Sequence, residues 1–137
     1  MLTLPKSPSG SLCPYYYLGG ELHPLKYGSY FDRTAELLAV MQAEEAFILA
    51  SPGSGNRRIW LDLCETRLDD EVVGALVAHL HAIKPKTHKL CLVGCSAWGR
   101  RRIIRAMKRL DPGLAVSTRF FADPEVAKQW LVGKAPV

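Results

Sequence analysis

The sequence predicts a single α/β domain in which strands and helices pack as layers. Its 137 residues suit one hydrophobic core. After residue 57, short apolar runs typical of buried parallel strands alternate with segments of helical periodicity, which favours right-handed crossovers. We therefore predict an α/β layer sandwich with a mixed sheet of roughly four or five strands and about four helices. This domain spans residues 12–133, between a flexible N-terminal arm over 1–11 and a C-terminal tail over 134–137.

The first half of the chain predicts two paired strands and then a helix. Residues 12–18 form a tyrosine-rich apolar run typical of a strand, and the two glycines at 19–20 predict a turn into a short strand over 21–25. From Tyr30 the apolar spacing becomes helical. One helical face holds Phe31, Ala35, Leu38 and Met41. Residues 46–50 either continue this helix or form a hairpin strand, and we favour the helix.

The second half predicts three strand–helix units. The expected strands cover 58–63, 89–93 and 114–121, with a loop at 111–113. The expected helices cover 69–83, 97–110 and 124–132. Acidic residues open the first of these helices, where they complement the helix dipole, and Asp123 followed by Pro124 is a typical start for the last one.

Charge and hydropathy exclude several classes of protein. The formal net charge of +5 favours anionic partners, but it is too small to imply nucleic acid, and we expect no nucleic-acid partner. No apolar stretch approaches the ~20 residues that span a bilayer, so we expect no integral membrane protein. Residues 1–10 lack the apolar core of a signal peptide, which predicts a cytoplasmic location.

Cysteine and histidine spacing does not favour a metal site. The four cysteines form no Cys-x-x-Cys pair, and Cys64 and Cys91 lie in apolar runs typical of buried thiols. His79 and His81 are two residues apart, which places them on opposite sides of a helix. We expect neither a structural metal nor a cofactor.

Three short stretches have counterparts in a known family. These are Gly-Gly-Glu-Leu at 19–22, Ile-Trp-Leu-Asp-Leu at 59–63 before a helix that opens at Asp69, and the aromatic strand and Glu-, Ala- and Trp-containing helix at 120–131. Together with the order of elements over 15–132, they resemble the STAS-domain family, named for sulfate transporters and bacterial anti-sigma-factor antagonists. The last stretch is similar to a lipid-transfer-like bacterial subgroup of that family.

This resemblance implies a non-enzymatic bacterial regulatory module that binds a protein partner. In the antagonist branch, a partner kinase phosphorylates a serine at the start of the second major helix, and this breaks the complex. Here Asp69 and Asp70 occupy that region, and Thr66 is the nearest hydroxyl. With Asp62 at the end of the preceding strand, these are the predicted partner or switch residues. Ordinary helix capping is the alternative role of the acidic cluster.

The turn from Gly94 to Arg102 departs from ordinary helix chemistry. Its arginines stand in the first helical turn, where the helix dipole is already positive. Clustered guanidinium groups, a serine hydroxyl and free amides could bind phosphate, sulfate or carboxylate. The predicted ligand-binding residues are Gly94, Cys95, Ser96, Trp98, Arg100, Arg101 and Arg102. The alternative is an exposed basic face that continues to Arg109.

Cys95 and Arg101 form a Cys-x5-Arg arrangement that resembles cysteine-dependent phosphatases and rhodanese-like sulfurtransferases. The histidine that would precede the cysteine is replaced by Gly94, and Arg102 stands where serine or threonine would follow the arginine. A cysteine-dependent enzyme is therefore the third hypothesis, and we expect an inert thiol.

Two functions lead at this stage. The first is a protein-interaction module, and the second is a binder of a small anionic or amphipathic ligand, or of a membrane surface, at the turn over 94–102. The chain is expected to be a monomer or a homodimer.

Overall fold

A computed structural model of the chain describes residues 15–17, 20–50 and 57–133. The strands are β1 (Tyr15–Tyr17), β2 (Gly20–Lys26), β3 (Arg57–Asp62), β4 (Thr87–Val93) and β5 (Thr118–Phe121). The helices are α1 (Thr34–Ala50), α2 (Asp70–Ile83), α3 (Ala97–Leu110), α4 (Pro112–Ser117) and α5 (Pro124–Leu131), with a 3-10 turn (Lys84–Lys86) after α2. The predicted arm over 1–11, the tail over 134–137 and part of the predicted turn at 19–20 lie outside the described residues.

The five strands form one mixed sheet in the order β1-β2-β3-β4-β5. Strand β1 is antiparallel to β2, and β2 to β5 are parallel to one another. The register places Ile59 beside Leu90 and Asp62 beside Val93. This confirms the predicted α/β class, the mixed sheet and the parallel pairing of the two central strands.

Layers of unequal depth cover the two faces of the sheet. Because side chains alternate along a strand, Ile59 and Leu61 face one layer and Trp60 faces the other. The first layer is the main core, where buried residues of α1, α2, α3 and α4 pack on the sheet. The second is a thin core in which α5 covers Cys91 and Val93.

The inner face predicted for the first helix is correct at Leu38 and Met41 and wrong at Phe31 and Ala35, and the helix does run through residues 46–50 as predicted. Helix α1 begins at Thr34, and its buried residues are Leu37, Met41, Glu44 and Ile48. Phe31 and Ala35 are exposed. The backbone at Phe31 has a positive φ of 53°, which is incompatible with a right-handed helix and delays its start. Because one residue of the buried face is the charged Glu44, that face does not form a continuous apolar stripe in the sequence.

The segment after α3 also differs from the prediction. The expected loop at 111–113 and the strand from residue 114 are replaced by α4, and β5 begins at Thr118. The Asp111 carboxylate caps this helix by accepting a hydrogen bond from the Leu114 amide at 3.3 Å, and Pro112 occupies its first turn. The described residues therefore contain five α-helices, one more than predicted.

Candidate functional site

The loops that follow the parallel strands meet at one end of the sheet, which we call the C-terminal edge. It comprises residues 27–33, 63–69, 94–96 and 122–123, together with the first turn of α3. In open α/β folds the carboxyl ends of parallel strands are the usual location of binding residues. All the predicted site residues lie at or beside this edge.

Asp62 holds the loop after β3 in place. Its carboxylate accepts a hydrogen bond from the Cys64 amide at 2.9 Å. Backbone from two neighbouring loops packs against this segment, because a Cβ at Gly28 would lie 2.9 Å from the Cys64 oxygen and one at Gly94 would lie 2.6 Å from the Cys64 nitrogen. Gly94 also has a φ of +83°, which favours glycine. The half-buried Asp62 thus has a structural role in fixing the edge.

Thr66 joins the loops after β2 and β3. Its hydroxyl donates to the Tyr27 oxygen at 2.7 Å and accepts from the Tyr30 amide at 3.2 Å. Beside it, the Phe31 amide donates to the oxygen of Glu65 at 2.9 Å. The two loops are therefore hydrogen-bonded much like neighbouring strands, and the predicted switch hydroxyl is engaged as both donor and acceptor.

Three residues other than glycine at this edge have left-handed backbone conformations: Ser29, Phe31 and Glu65, with φ of 62°, 53° and 59°. Such conformations cost about 1–3 kcal/mol each and persist where the surrounding structure enforces them. The interloop hydrogen bonds supply that constraint. As a result the Phe31 side chain is held outward, with 55% of its surface exposed.

The acidic cluster at the start of α2 divides into two roles. Asp69 is the N-cap and accepts a hydrogen bond from the Val72 amide at 2.9 Å, which is the capping alternative considered above. The neighbouring Asp70 is 95% exposed at its side chain and forms an ion pair with Arg102 of α3. It therefore bridges the start of α2 and the second turn of α3.

Ser96 caps α3 in the same way. Its hydroxyl oxygen accepts a hydrogen bond from the Gly99 amide at 3.0 Å, so one of the free amides of this helix end is satisfied within the chain. Gly99 is buried against Leu68, whose Cδ1 would lie 2.5 Å from a Cβ at this position. The turn thus packs directly on the loop after β3.

The three arginines of the predicted anion site do not share one groove: Arg100 and Arg101 line a groove with Cys95 beside β5, and Arg101 and Arg102 line another between α2 and α3. Arg100 lies over the Phe120 ring at 5.4 Å, next to β5. Arg102 pairs with Asp70 of α2 and lies 5.9 Å from the Trp98 ring. Arg101 is exposed. The three side chains do not converge on a single site of the size of one anion. Anion binding at this turn therefore stays a prediction.

Cys95 is half-buried behind the turn. Burial raises the pKa of its thiol to about 12, with a smaller contribution from Asp62, and the opposing effect of Arg100 is not sufficient to restore it. A nucleophilic cysteine needs a lowered pKa, because the thiolate is the reactive species. These surroundings do not favour the cysteine-dependent mechanism.

Two exposed aromatic residues border two grooves. Trp98 is 68% exposed. With Phe31 it borders a groove of about 410 Å³ whose lining includes Thr66 and Leu68, and we call this the edge groove. Trp98 also borders a second groove, of about 540 Å³ between α2 and α3, which we call the helix groove. The sequence prediction missed Phe31 at this site, although the Tyr-Gly-Ser break before it signalled a loop.

A buried chain of hydrogen-bonded polar side chains lies behind the edge, and no sequence pattern predicted it. The Tyr27 hydroxyl is 2.8 Å from Nε2 of His79, and Nδ1 of His79 is 3.1 Å from a carboxylate oxygen of Glu45. Burial lowers the pKa of His79, while its hydrogen bond to Glu45 and the charge of Glu44 oppose that shift. Burial also raises the pKa of Tyr27. His79 is therefore held neutral as a bridge between β2, α1 and α2.

Within the described ranges, no three histidine, cysteine or acidic side chains are grouped so that they could hold a metal ion. None of the helices described is both long enough and apolar enough to cross a membrane. Comparisons of the chain with protein-family models, curated proteins and solved structures give no match.

Proposed function

We propose that this chain is a non-enzymatic regulatory domain that binds a protein partner through its C-terminal edge. The observation that carries the proposal is the pair of exposed aromatic residues, Phe31 and Trp98, on the borders of the edge groove. Aromatic and arginine side chains dominate the binding energy of many protein interfaces. Arg67 lines the same groove, so the edge groove combines two aromatic residues with an arginine.

Energetic considerations support a binding role for Phe31. Its backbone conformation is unfavourable by about 1–3 kcal/mol, and its exposed ring gains little from the fold. Burial of such a ring against a partner is worth roughly 1.5–3 kcal/mol. The edge is also rigid, because Asp62, Thr66 and the glycine contacts fix its loops. A preformed surface lowers the entropic cost of association.

Sheet topology supports a protein partner over a small ligand. Deep ligand crevices in open α/β sheets form where the strand order reverses, so that consecutive helices lie on opposite faces. Here the order runs from β1 to β5 without reversal, and α1, α2, α3 and α4 all pack in the same core layer. The resulting edge suits surface-to-surface docking.

The resemblance to STAS domains supports the same conclusion. In the antagonist branch, phosphorylation at the start of the second major helix breaks the complex with a protein partner, and this position corresponds here to Asp69 and Asp70. No serine stands there, Asp69 caps α2 and Thr66 bonds two loops. We therefore propose a partner interaction that does not depend on a phosphate at these positions. The resemblance also supports a bacterial, cytoplasmic setting for this role.

Site-specific photo-crosslinking tests the proposal. A photoreactive phenylalanine analogue is placed at Phe31, Trp98 or Val116 in separate full-length variants, expressed in the cells from which the chain derives. Val116 is the matched control: it is 81% exposed, but it lies on α4 just before β5, at the opposite end of the sheet. We expect the first two positions to give the same discrete protein adduct and the control to give none.

The adduct is identified by mass spectrometry, and its protein is then purified and recombined with the wild-type chain. Formation of a stoichiometric complex supports the proposal. Absence of adducts at Phe31 and Trp98, or the same products from all three positions, contradicts it.

A further inference from the structure

We infer that the helix groove between α2 and α3 receives an acidic, amphipathic polypeptide segment of the partner. This inference rests on the proposed function, because it names the chemistry of the partner that docks beside the edge groove. Trp98 lines both grooves, so the two share a border. The main observation that supports it is a row of three arginines on α3, Arg101, Arg105 and Arg109, which we call the arginine stripe.

Positive charge is concentrated on α3. This helix contains six cationic side chains and no acidic one. They are Arg100, Arg101, Arg102, Arg105, Lys108 and Arg109. Since the whole chain has a net charge of +5, the remaining residues have a net charge of −1. The electrostatic attraction of this protein for an anionic partner therefore originates from one helix.

The arginine stripe has the geometry of a linear receptor. Its members are four residues apart, so they follow one side of α3 over roughly 12 Å. All three are exposed, and none forms an ion pair with a described residue, whereas the adjacent Arg102 is paired with Asp70. Three available guanidinium groups in a row match a series of carboxylates better than they match one small anion.

The floor of the helix groove is formed by small apolar residues. Val73, Gly74 and Ala106 line it beside the arginine stripe. A Cβ at Gly74 would have no other atom within 4 Å, so this side of α2 is open for a neighbour. A segment with acidic residues on one side and apolar residues such as leucine on the other complements both the arginine stripe and the apolar floor.

Two other polyanions fit this surface less well. Insertion into a membrane interface requires exposed apolar residues along the helix, but α3 exposes large ones only near its two ends, at Trp98 and Leu110, and its Ile103 and Met107 are fully buried in the core. A nucleic-acid backbone would meet the exposed carboxylate of Asp70 at one end of the groove. It would also leave the apolar floor without a partner.

Fluorescence anisotropy with a defined peptide tests the inference. The probe is a fluorescein-labelled helical peptide of about 16 residues, with leucines on one face and glutamates elsewhere. It is titrated with the full chain and with two charge-reversal variants, Arg105→Glu and Lys108→Glu. Lys108 is the matched control, because it belongs to the same helix and does not line the helix groove.

We expect Arg105→Glu to weaken peptide binding at least about tenfold and Lys108→Glu to weaken it by less than about threefold. A peptide with serine in place of every leucine should bind at least about tenfold more weakly than the probe. Far-ultraviolet circular dichroism verifies that both variants keep the wild-type fold.

Equal losses for the two variants, or no loss with the serine peptide, would show general charge attraction and overturn the inference. Tighter binding of a single-stranded oligonucleotide of equal charge, or of vesicles containing anionic lipid, would overturn it in favour of those partners. Binding of inorganic phosphate alone at this groove would do the same. If the peptide fails while the crosslinks at Phe31 and Trp98 persist, this inference is wrong and the proposed function stands.

Discussion

His79 is a histidine that belongs to the protein core. Its imidazole lies between the Tyr27 hydroxyl and the Glu45 carboxylate, whereas His81 on the opposite side of α2 is exposed and contacts Asp111. The sequence correctly predicted opposite sides for the two histidines. It could not show that Tyr27, 52 residues away, would satisfy the buried ring.

The lowered pKa of His79 predicts a loss of stability on mild acidification. Its ordinary value is 6.5, and the folded protein binds its proton less readily than the unfolded chain. Its contribution to stability is therefore complete above pH 6.5 and declines as the pH falls below that value. Urea unfolding at pH 7.5, 6.5 and 5.5 should show this decline. It should be smaller in His79→Gln and unchanged in His88→Gln, which alters an exposed histidine. An identical decline in wild type and His79→Gln would refute the assignment.

Cys95 is expected to be an inert thiol. Its pKa is raised to about 12 by burial, so very little thiolate exists at neutral pH. Iodoacetamide at pH 7.5 should alkylate Cys95 more slowly than the exposed Cys64 of the same chain, as followed by peptide mass spectrometry. Rapid labelling of Cys95 that persists down to about pH 6 would restore the catalytic hypothesis.

At the scale of elements, two glycines show opposite constraints. Gly94 joins β4 to α3 with a φ of +83° and a Cβ position occupied by the Cys64 backbone, whereas Gly74 lies within α2 with open space around it. Gly94→Ala should lower the free energy of unfolding by about 1–3 kcal/mol from backbone strain alone, and the clash with the Cys64 backbone should add to this loss. Gly74→Ala should raise it by about 0.5–1 kcal/mol, because alanine favours helix.

Chemical denaturation of both variants checks this pair of expectations. An unchanged midpoint for Gly94→Ala would mean that the loops of the C-terminal edge are not packed as described. Gly74 also lines the helix groove, so its variant serves as a stability control and is not used to measure partner binding.

Elements with local signals were predicted well from the sequence. Helix α2 begins after the capping Asp69, α5 begins after Asp123, and β3 and β4 are short apolar runs. The start of helix α1 was predicted too early, because the positive φ of Phe31 that precludes helix there leaves no signal in the sequence pattern. Helix α4 was missed because Leu114 and its apolar neighbours have the composition of a strand, and Asp111 was not recognised as a cap.

The candidate site was predicted in part. The turn from Gly94 to Arg102 was identified because its arginines were placed in the first helical turn, against helix-dipole preferences. The structure corrects this placement, because Ser96 is the N-cap and Arg101 and Arg102 lie in the second turn. That Arg100 and Arg102 have different neighbours depends on contacts with Phe120 and Asp70, which are remote in sequence. The exposure of Phe31 depends on a backbone conformation imposed by the loop after β3. Neither the contacts of the arginines nor the backbone conformation of Phe31 leaves a periodic or compositional signal in the sequence.

At the scale of the whole molecule, the positive charge is concentrated on one helix, and the exposed aromatic surface of the residues whose side chains are described is concentrated near one end. The aromatic residues lie at the C-terminal edge, and the arginine stripe extends from it along α3. Long-range attraction would bring an acidic partner toward α3, and contact with Phe31 and Trp98 would then fix its position. The association rate should accordingly fall as the ionic strength rises.

The central claim is that the C-terminal edge binds a protein partner, and isothermal titration of the cross-linked partner tests it most directly. The titration compares the wild-type chain with Phe31→Ala, Trp98→Ala and Val116→Ala. We predict that each edge variant weakens the affinity at least about tenfold, because each removes a large exposed aromatic anchor, and that Val116→Ala changes it by less than about twofold. Wild-type affinity in both edge variants, or an equal loss in the Val116 variant, would contradict the account.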